Sequence, residues 1–154
     1  MKKYLLGIAL FILVTPTVPA RQGYCETQTP EQLVRNFYAW YFEADKGPVA
    51  AENKDEIYKY VARETVKYIK ELPPPSVSYF AKANTFNAIW NNPTVVVGKA
   101  IPMAGNTFVL PVTFNLNFEF RGELCHETYY VVVFVEKENK NFYITKVVDI
   151  YPYF

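Results

Sequence analysis

The chain has 154 residues, with 16 Lys or Arg side chains against 15 Asp or Glu and one His, for a formal net charge of +1 at pH 7. This balance gives no electrostatic reason to expect a nucleic acid or an anionic membrane surface as partner. A single histidine excludes metal sites that need two imidazole ligands, and no phosphate-binding glycine loop, Cys-x-x-Cys or Ser/His/Asp set is present. We therefore expect no cofactor and no metal.

The first 20 residues have the three parts of a secretory signal peptide. Lys2 and Lys3 precede an apolar run over residues 4–14, and a Val-x-Ala exit follows at residues 18–20. The run is shorter than the roughly 20 residues that span a bilayer, and an N-terminal anchor that is never cut is the alternative. We expect cleavage near Ala20, a periplasmic or secreted mature protein, and no stable membrane insertion after cleavage.

The mature chain, residues 21–154, has the size of one domain. Its first predicted helix begins at Thr29, with Pro30 at the first helical position and Gln32 at the capping-box position. The helix ends before residues 45–48, which contain Gly and Pro. Its apolar face is broad, so we expect it to be covered on more than one side, across the concave face of a sheet. The face consists of Leu33, Val34, Phe37, Tyr38, Trp40, Tyr41 and Phe42.

Helical spacing of apolar residues predicts a second helix over residues 53–72, stopped by the prolines at 73–75. One of its faces is basic, which fits either a docking surface for an acidic partner or a solvated face with local ion pairs. The basic residues are Lys59, Arg63, Lys67 and Lys70. A short helical turn is expected at residues 76–83.

From residue 94 onward the periodicity changes to that of strands. Residues 94–97 form one strand, and residues 110–120 alternate apolar and polar side chains, with Pro111 indicating an edge position or a bulge. A hairpin turn at 121–123 leads to a central strand at 128–135, and the last strand covers 142–151. Helices first and strands second predict a single α+β domain, with helices packed on a curved antiparallel sheet of about four strands.

Two cysteines remain after cleavage, Cys25 and Cys125. An isolated pair in an oxidising compartment usually bridges, so we expect a Cys25–Cys125 disulfide. Cys125 and His126 do not form a catalytic pair, since neighbours in a strand point to opposite faces.

Three segments resemble a bacterial family known as domain of unknown function 3828, whose members are exported proteins or lipoproteins. Residues 29–41 match its opening helix with a Phe-Tyr-x-Trp-Tyr pattern, residues 78–84 with Trp90 match its middle motif, and residues 142–147 match its closing strand. The family more often has Trp at position 142 and an acidic residue before the Tyr-Phe pair. The resemblance implies a cone-shaped fold similar to the cystatin-like and nuclear-transport-factor-2-like superfamily. It implies no activity.

Enzymes of that superfamily commonly place an Asp or His inside the cone as a general base. Asp149 is the Asp on a predicted strand, where strict alternation groups it with Tyr143, Thr145 and Val147. On an inward face, Asp149 with a Tyr hydroxyl would bind or deprotonate a ligand; on an outward face it is a solvated residue. Tyr38, Tyr41 and Trp90 either line a small apolar pocket at the cone mouth or belong to the core. We place these four residues as the candidate ligand site.

The absence of a catalytic set favours a non-enzymatic exported binding protein, with an inhibitor or immunity protein that caps a partner in the cell envelope as one such class. The alternative is a pocket protein or weak enzyme that binds a small apolar or cell-envelope ligand inside the cone. Relatives in the superfamily that the chain resembles often dimerise through the outer sheet face, so the resemblance leaves a homodimer open with both alternatives.

Overall fold

The computed structural model describes residues 28–43, 52, 54–72, 78–82, 93–120 and 122–150. The predicted signal peptide, Cys25 and Trp90 lie outside these ranges. The elements in chain order are α1 (Pro30–Glu43), a 3₁₀ helix (Asp55–Lys59), α2 (Arg63–Glu71), β1 (Thr94–Val97), β2 (Ile101–Pro102), β3 (Thr107–Phe120), β4 (Glu123–Glu138) and β5 (Asn141–Asp149). None of the described helices is long and apolar enough to cross a membrane.

The strands form one open antiparallel sheet in the order β1–β3–β4–β5, and β2 pairs with β3 beyond the end of β1. Helices α1 and α2 pack on this sheet. The prediction of an α+β fold with helices on an antiparallel sheet is confirmed. The sheet has five strands where about four were predicted, and the additional one is β2, which is only two residues long.

Helix α1 begins with the predicted capping box. The Thr29 N–H donates to Gln32 Oε1 at 2.8 Å, and the Gln32 N–H donates to Thr29 Oγ1 at 3.2 Å. These reciprocal bonds satisfy two backbone donors that the first helical turn leaves without partners. The cap therefore fixes where the helix starts and which residues face the sheet.

The core lies between α1 and one side of the sheet, which we call the helix side. The apolar face of α1 is fully buried there, at Leu33, Val34, Phe37, Tyr38 and Tyr41. Alternate residues of β3 and β4 meet it, as the period-two pattern predicts: Leu110, Val112, Phe114, Leu116, Val131, Val133 and Val135. The helix side is thus filled by side chains.

The predicted continuous helix over residues 53–72 is wrong, because the chain breaks into the 3₁₀ helix and α2. Between them, Val61 forms a parallel bridge with Ile144 of β5. The Ile144 N–H donates to Tyr60 O at 2.8 Å, and the Ala62 N–H donates to Ile144 O at 3.0 Å. Backbone pairing with the edge of β5 replaces the helical bonds of this segment, and buries Val61.

Pro111 lies in β3, an interior strand with no register shift against β4, so the predicted bulge is wrong and the predicted edge position holds only locally, at a gap in the pairing on the β1 side. β1 pairs with β3 up to Val112, and β2 resumes the pairing only at Val109. The Pro111 carbonyl accepts a bond from the Gly98 N–H at 2.8 Å, which shows that its backbone faces this gap. The missing N–H of proline therefore falls where no strand needs it.

The predicted Cys25–Cys125 disulfide is not formed in the structure. Cys125 is a free thiol whose Sγ lies 3.8 Å from the Glu123 carbonyl oxygen, and Cys25 lies outside the described residues. Cys125 belongs to a part of β4 that pairs with β3 and extends past the end of β5, and no described strand pairs with it on the β5 side.

Phe37 is the centre of the aromatic core, with ring contacts to Tyr38, Trp40, Tyr41, Tyr60 and Phe80. We expect Phe37→Ala to lower the free energy of unfolding by about 3–5 kcal/mol, since it removes a buried ring and leaves a cavity. Urea unfolding followed by circular dichroism measures the change. Val96→Ala, at a position that is 55% exposed, is the control and should stay within about 0.5 kcal/mol. Equal effects of the two changes would contradict this account of the core.

Candidate functional site

The β3–β4 hairpin extends beyond its neighbours. β4 pairs with β5 only from Val131 to Glu138, and β3 pairs with β1 only up to Asn115. Residues 116–120 and 122–130 form the part that extends further, and we call it the hairpin arm. Its turn contains Gly122 with a φ of 81°, a left-handed conformation that glycine adopts without strain. The length mismatch between strands thus produces a two-stranded arm.

Side-chain pairs on the outer side of the sheet hold the arm. His126 Nδ1 lies 2.6 Å from Asn117 Oδ1, and Thr128 Oγ1 donates to Asn115 Oδ1 at 2.9 Å. Each pair joins directly opposite residues of β3 and β4, the positions at which cross-strand contacts stabilise a sheet. His126 is therefore bonded across the hairpin.

Asp149 lies at the end of β5 on the helix side. A bulge at Thr145 shifts the alternation of β5 by one residue, so Ile144, Val147 and Asp149 share that side, opposite Val135, Val133 and Val131. The predicted grouping of Asp149 with Tyr143 and Thr145 is wrong, because strict alternation does not allow for a bulge. Asp149 itself is exposed and is the last residue of β5.

A cavity of about 480 Å³ opens where β5 ends beside the arm, and we call it the Lys82 cavity. It is lined by Lys82, His126, Glu127, Thr128, Tyr129, Tyr130, Asp149 and Ile150. The Ile150 N–H donates to Tyr130 O at 3.0 Å, which ties the two sides of the rim together. The cavity thus lies between the end of β5, the arm and the turn that carries Lys82.

Lys82 belongs to the turn at residues 79–82. It has a φ of 54°, an unusual conformation for a residue other than glycine, and its N–H donates to Ser78 O at 2.9 Å. The Lys82 Nζ lies 4.4 Å from the centre of the Tyr79 ring. Burial lowers the pKa of Lys82, and the carboxylates of Asp149 and Glu52 oppose that shift. The backbone of the turn therefore directs a cation toward the cavity.

The rim combines charge with exposed apolar surface. Lys82 is the cation, Glu127 and Asp149 are the carboxylates, and Glu127 accepts a bond from the Tyr129 hydroxyl. Tyr130 and Ile150 are 50% and 49% exposed. Within the described ranges, no three His, Cys, Asp or Glu side chains converge as a metal ion requires. Such a surface suits contact with a peptide or protein, which offers both apolar groups and hydrogen bonds.

The other predicted site residues do not join Asp149. Tyr38 and Tyr41 are fully buried in the core, and Tyr38 donates to Phe80 O at 2.9 Å. Neither of these tyrosines lines the Lys82 cavity, and Trp90 lies outside the described residues. The four residues proposed from the sequence thus do not form one site in the described structure.

Sequence reasoning missed a buried carboxyl group. Glu52 is 6% exposed, and its Oε1 accepts bonds from the Tyr41 hydroxyl at 2.8 Å and the Tyr79 N–H at 3.3 Å. The Tyr41 hydroxyl also contacts Ser78 Oγ. Burial raises the pKa of Glu52 above its ordinary value of 4.5, against the opposing effect of these bonds. Glu52 lies in a polar stretch of sequence, so hydrophobic periodicity gave no reason to place it inside.

Lys82 was missed in a different way. It falls within the segment 78–84 that carried the family resemblance, so a sequence signal for its neighbourhood existed. The pattern identified the aromatic residues of the segment as packing residues, which agrees with the complete burial of Phe80. It gave no sign that the lysine two positions later faces a cavity.

Comparison with solved structures finds a similar chain in the type VI native effector–immunity complex Tae3–Tai3 from Ralstonia pickettii. The TM-score is 0.56 at 24% sequence identity, over 82% of this chain and 98% of that chain. At this identity the likeness shows the fold. No family model and no curated protein matches the sequence.

The raised pKa of Glu52 predicts a pH dependence of stability. The folded state holds the Glu52 proton more tightly than the unfolded chain, so stability conferred by this group is complete below about pH 4.5 and is lost as pH rises through the folded pKa. We expect the free energy of unfolding of the wild type, relative to Glu52→Gln, to fall as the pH rises above about 4.5. Urea unfolding at several pH values measures the difference.

Glu56→Gln is the matched control. A hydrogen bond from Lys59 lowers the pKa of Glu56, which is the opposite direction, so any dependence on pH at this position has the opposite sign. A wild type and a Glu52→Gln variant with identical pH profiles would show that the Glu52 carboxyl does not titrate as its burial requires.

Proposed function

We propose that this chain is a non-enzymatic binding protein that caps a partner protein through the rim of the Lys82 cavity and the hairpin arm. The observation that carries the proposal is where the mixed polar and apolar groups lie. The helix side of the sheet is filled with aromatic side chains, and the mixed groups line the place where β4 extends past β5, with Glu127 and Asp149 on the helix side and Tyr130 and Ile150 on the outer side. A filled interior leaves the surface as the place of contact.

The structural comparison supports a protein as the partner. The similar chain was solved within an effector–immunity complex, in which one protein binds another. We infer that the present chain acts as an immunity protein, with an effector as its partner. Tyr130 and Ile150 are exposed apolar residues on the outer side of the sheet, and they line the same cavity as the charged residues. Aromatic residues of this kind are enriched at protein interfaces.

We also propose a periplasmic location for this protein, on the basis of its sequence. A signal peptide at residues 1–20 would deliver the mature chain to the periplasm, where a cell-envelope effector would act. Membership of the domain of unknown function 3828 family, with a cystatin-like cone, is a further proposal. It is supported by the capping box of α1 and by the buried Phe80 of the middle motif.

The Lys82 cavity supports a second candidate, a pocket protein for a small cell-envelope ligand. Its opposite charges, Lys82 and Asp149, match the carboxylate and ammonium groups of an amino acid or short peptide. In that case Asp149→Asn weakens the binding of such compounds about tenfold or more, as followed by NMR titration. Binding that Asp149→Asn leaves unchanged would end this candidate.

The partner is obtained by affinity purification of the tagged mature chain from its own cells, identified by mass spectrometry and then purified separately. We expect the two purified proteins to form a stable complex, and Tyr130→Asp to weaken it at least tenfold, because a charge replaces an aromatic contact. Isothermal titration calorimetry measures the affinity.

Ile101→Asp is the matched control, since Ile101 is also an exposed apolar strand residue, at 54% exposure, and lies on β2 opposite Val109, farther along the sheet from the arm. It should change the affinity less than twofold, and both variants should keep the wild-type melting temperature. The absence of any complex between purified proteins would contradict the proposed function. Equal losses of affinity in both variants would contradict the placement of the interface at the arm.

A further inference from the structure

One edge of β4 has no neighbour in the described structure. β5 pairs with β4 only as far as Val131, and one more hydrogen bond joins Ile150 to Tyr130. Beyond that point, over residues 123–129, no described strand lies on the β5 side. An edge of this kind presents rows of backbone donors and acceptors that another strand can pair with.

The register of the hairpin shows which groups face this open edge. β4 keeps a one-to-one pairing with β3 along the arm, so its backbone groups alternate regularly between the two sides. The Tyr130 carbonyl accepts a hydrogen bond from the Ile150 N–H, so the backbone groups of Tyr130 point away from β3. Leu124, His126 and Thr128 have the same parity and therefore direct their N–H and C=O groups to the open edge.

The helix side of the open edge is acidic. Glu123 and Glu127 are four residues apart on a strand, so they share this side, and both are exposed. The Lys82 cavity continues along the same edge and adds the carboxylate of Asp149 beside the cation Lys82. Opposite-charge pairs across adjacent strands are favourable, so a strand with basic side chains on the helix side complements this row.

Two other occupants fit the edge less well. A continuation of β5 in register brings Pro152 opposite Thr128, and proline has no N–H for the Thr128 carbonyl. A second copy of the chain, paired antiparallel through the same edge, brings the acidic row of one copy against that of the other. A segment of a different protein avoids both problems.

We propose that the partner adds an extended segment to the open edge of β4, with backbone hydrogen bonds to Leu124, His126 and Thr128 and a Lys or Arg side chain opposite Glu127. This inference rests on the proposed function and specifies how the partner is held. Backbone pairing supplies affinity in this mode, and the acidic row supplies selectivity for a basic segment.

The test uses the full mature protein and the purified partner. Thr128→Pro removes the N–H that faces the open edge, while the β3 side of the hairpin keeps its bonds. We expect it to weaken the complex at least tenfold. Thr128→Val keeps the N–H and loses the same side-chain bond to Asn115, so it should change affinity less than twofold. Glu127→Lys should weaken the complex at least tenfold, and Glu136→Lys, at the far end of β4, should not.

Amide hydrogen exchange of the wild type, followed by NMR, gives a second measurement that does not depend on how the proline variant folds. In the free protein, the amides of Leu124, His126 and Thr128 should exchange fast and those of Cys125 and Glu127 slowly. The partner should slow the first three at least tenfold. Slow exchange of all five amides in the free protein would overturn the inference. If the slow exchange depended on protein concentration, a second copy would cover the edge, and if it did not, another segment of the same chain would.

The remaining outcomes separate the two proposals. A complex that forms normally with Thr128→Pro, and that leaves the edge amides exchanging fast, overturns the strand addition and leaves the proposed function standing. The failure of every purified candidate to form a complex overturns both.

Discussion

The packing of the aromatic face of α1 on β3 and β4 is the interaction on which the rest of the structure depends. The capping box at Thr29 sets where the helix begins and hence which side chains point at the sheet. The space over the inner strands is then filled by Phe37, Tyr38 and Tyr41, and Phe114 of β3 contacts the Tyr38 ring from the sheet. Aromatic side chains bury the most area per residue, so this face supplies much of the stability of a small domain.

The polar groups of this core are satisfied internally. Tyr38 and Tyr41 keep their hydroxyls buried because Phe80 O and Glu52 accept their hydrogen bonds. The Tyr38 bond attaches the turn at residues 79–82 directly to α1, and Glu52 links Tyr41 to the same turn by accepting the Tyr79 N–H. This turn carries Lys82 to the cavity. The core and the candidate site are therefore joined through one short segment.

A filled interior has a consequence for function. Because the helix side is occupied, the mixed charged and apolar groups are found where one strand extends beyond its neighbour. β4 continues past β5, so Glu127, Tyr130 and Asp149 meet at the rim. Among the described residues, Glu52 is the carboxyl group buried inside, and Tyr41 donates a hydrogen bond to it. The architecture thus favours contact through the surface.

Elements with strong local patterns were predicted correctly from the sequence. The capping residues of α1, the strand over 94–97, the hairpin turn at Gly122 and the interior position of β4 all follow from propensity and period. Two of the failures share a cause, which is that tertiary backbone pairing overrides local preference. The bridge between Val61 and Ile144 interrupts a helical pattern, and the bulge at Thr145 reverses the expected face of Tyr143.

The candidate site was only partly predictable for the same reason. Asp149 was selected because it is an Asp on a strand, and it does line the cavity. Lys82 and the open edge of β4 come from a turn and from a mismatch in strand length, which no single segment of sequence displays. Glu52 enters the core from a polar stretch because Tyr41 and Tyr79 offer it donors.

A crystal structure of the mature chain bound to its purified partner tests the central claim most directly. The account predicts partner atoms against Tyr130, Ile150 and the hairpin arm, at least about 1,200 Å² of buried surface, and an unchanged aromatic core under α1. A partner seated only on α2 or β1, or a core that opens to admit a ligand between α1 and the sheet, would contradict it.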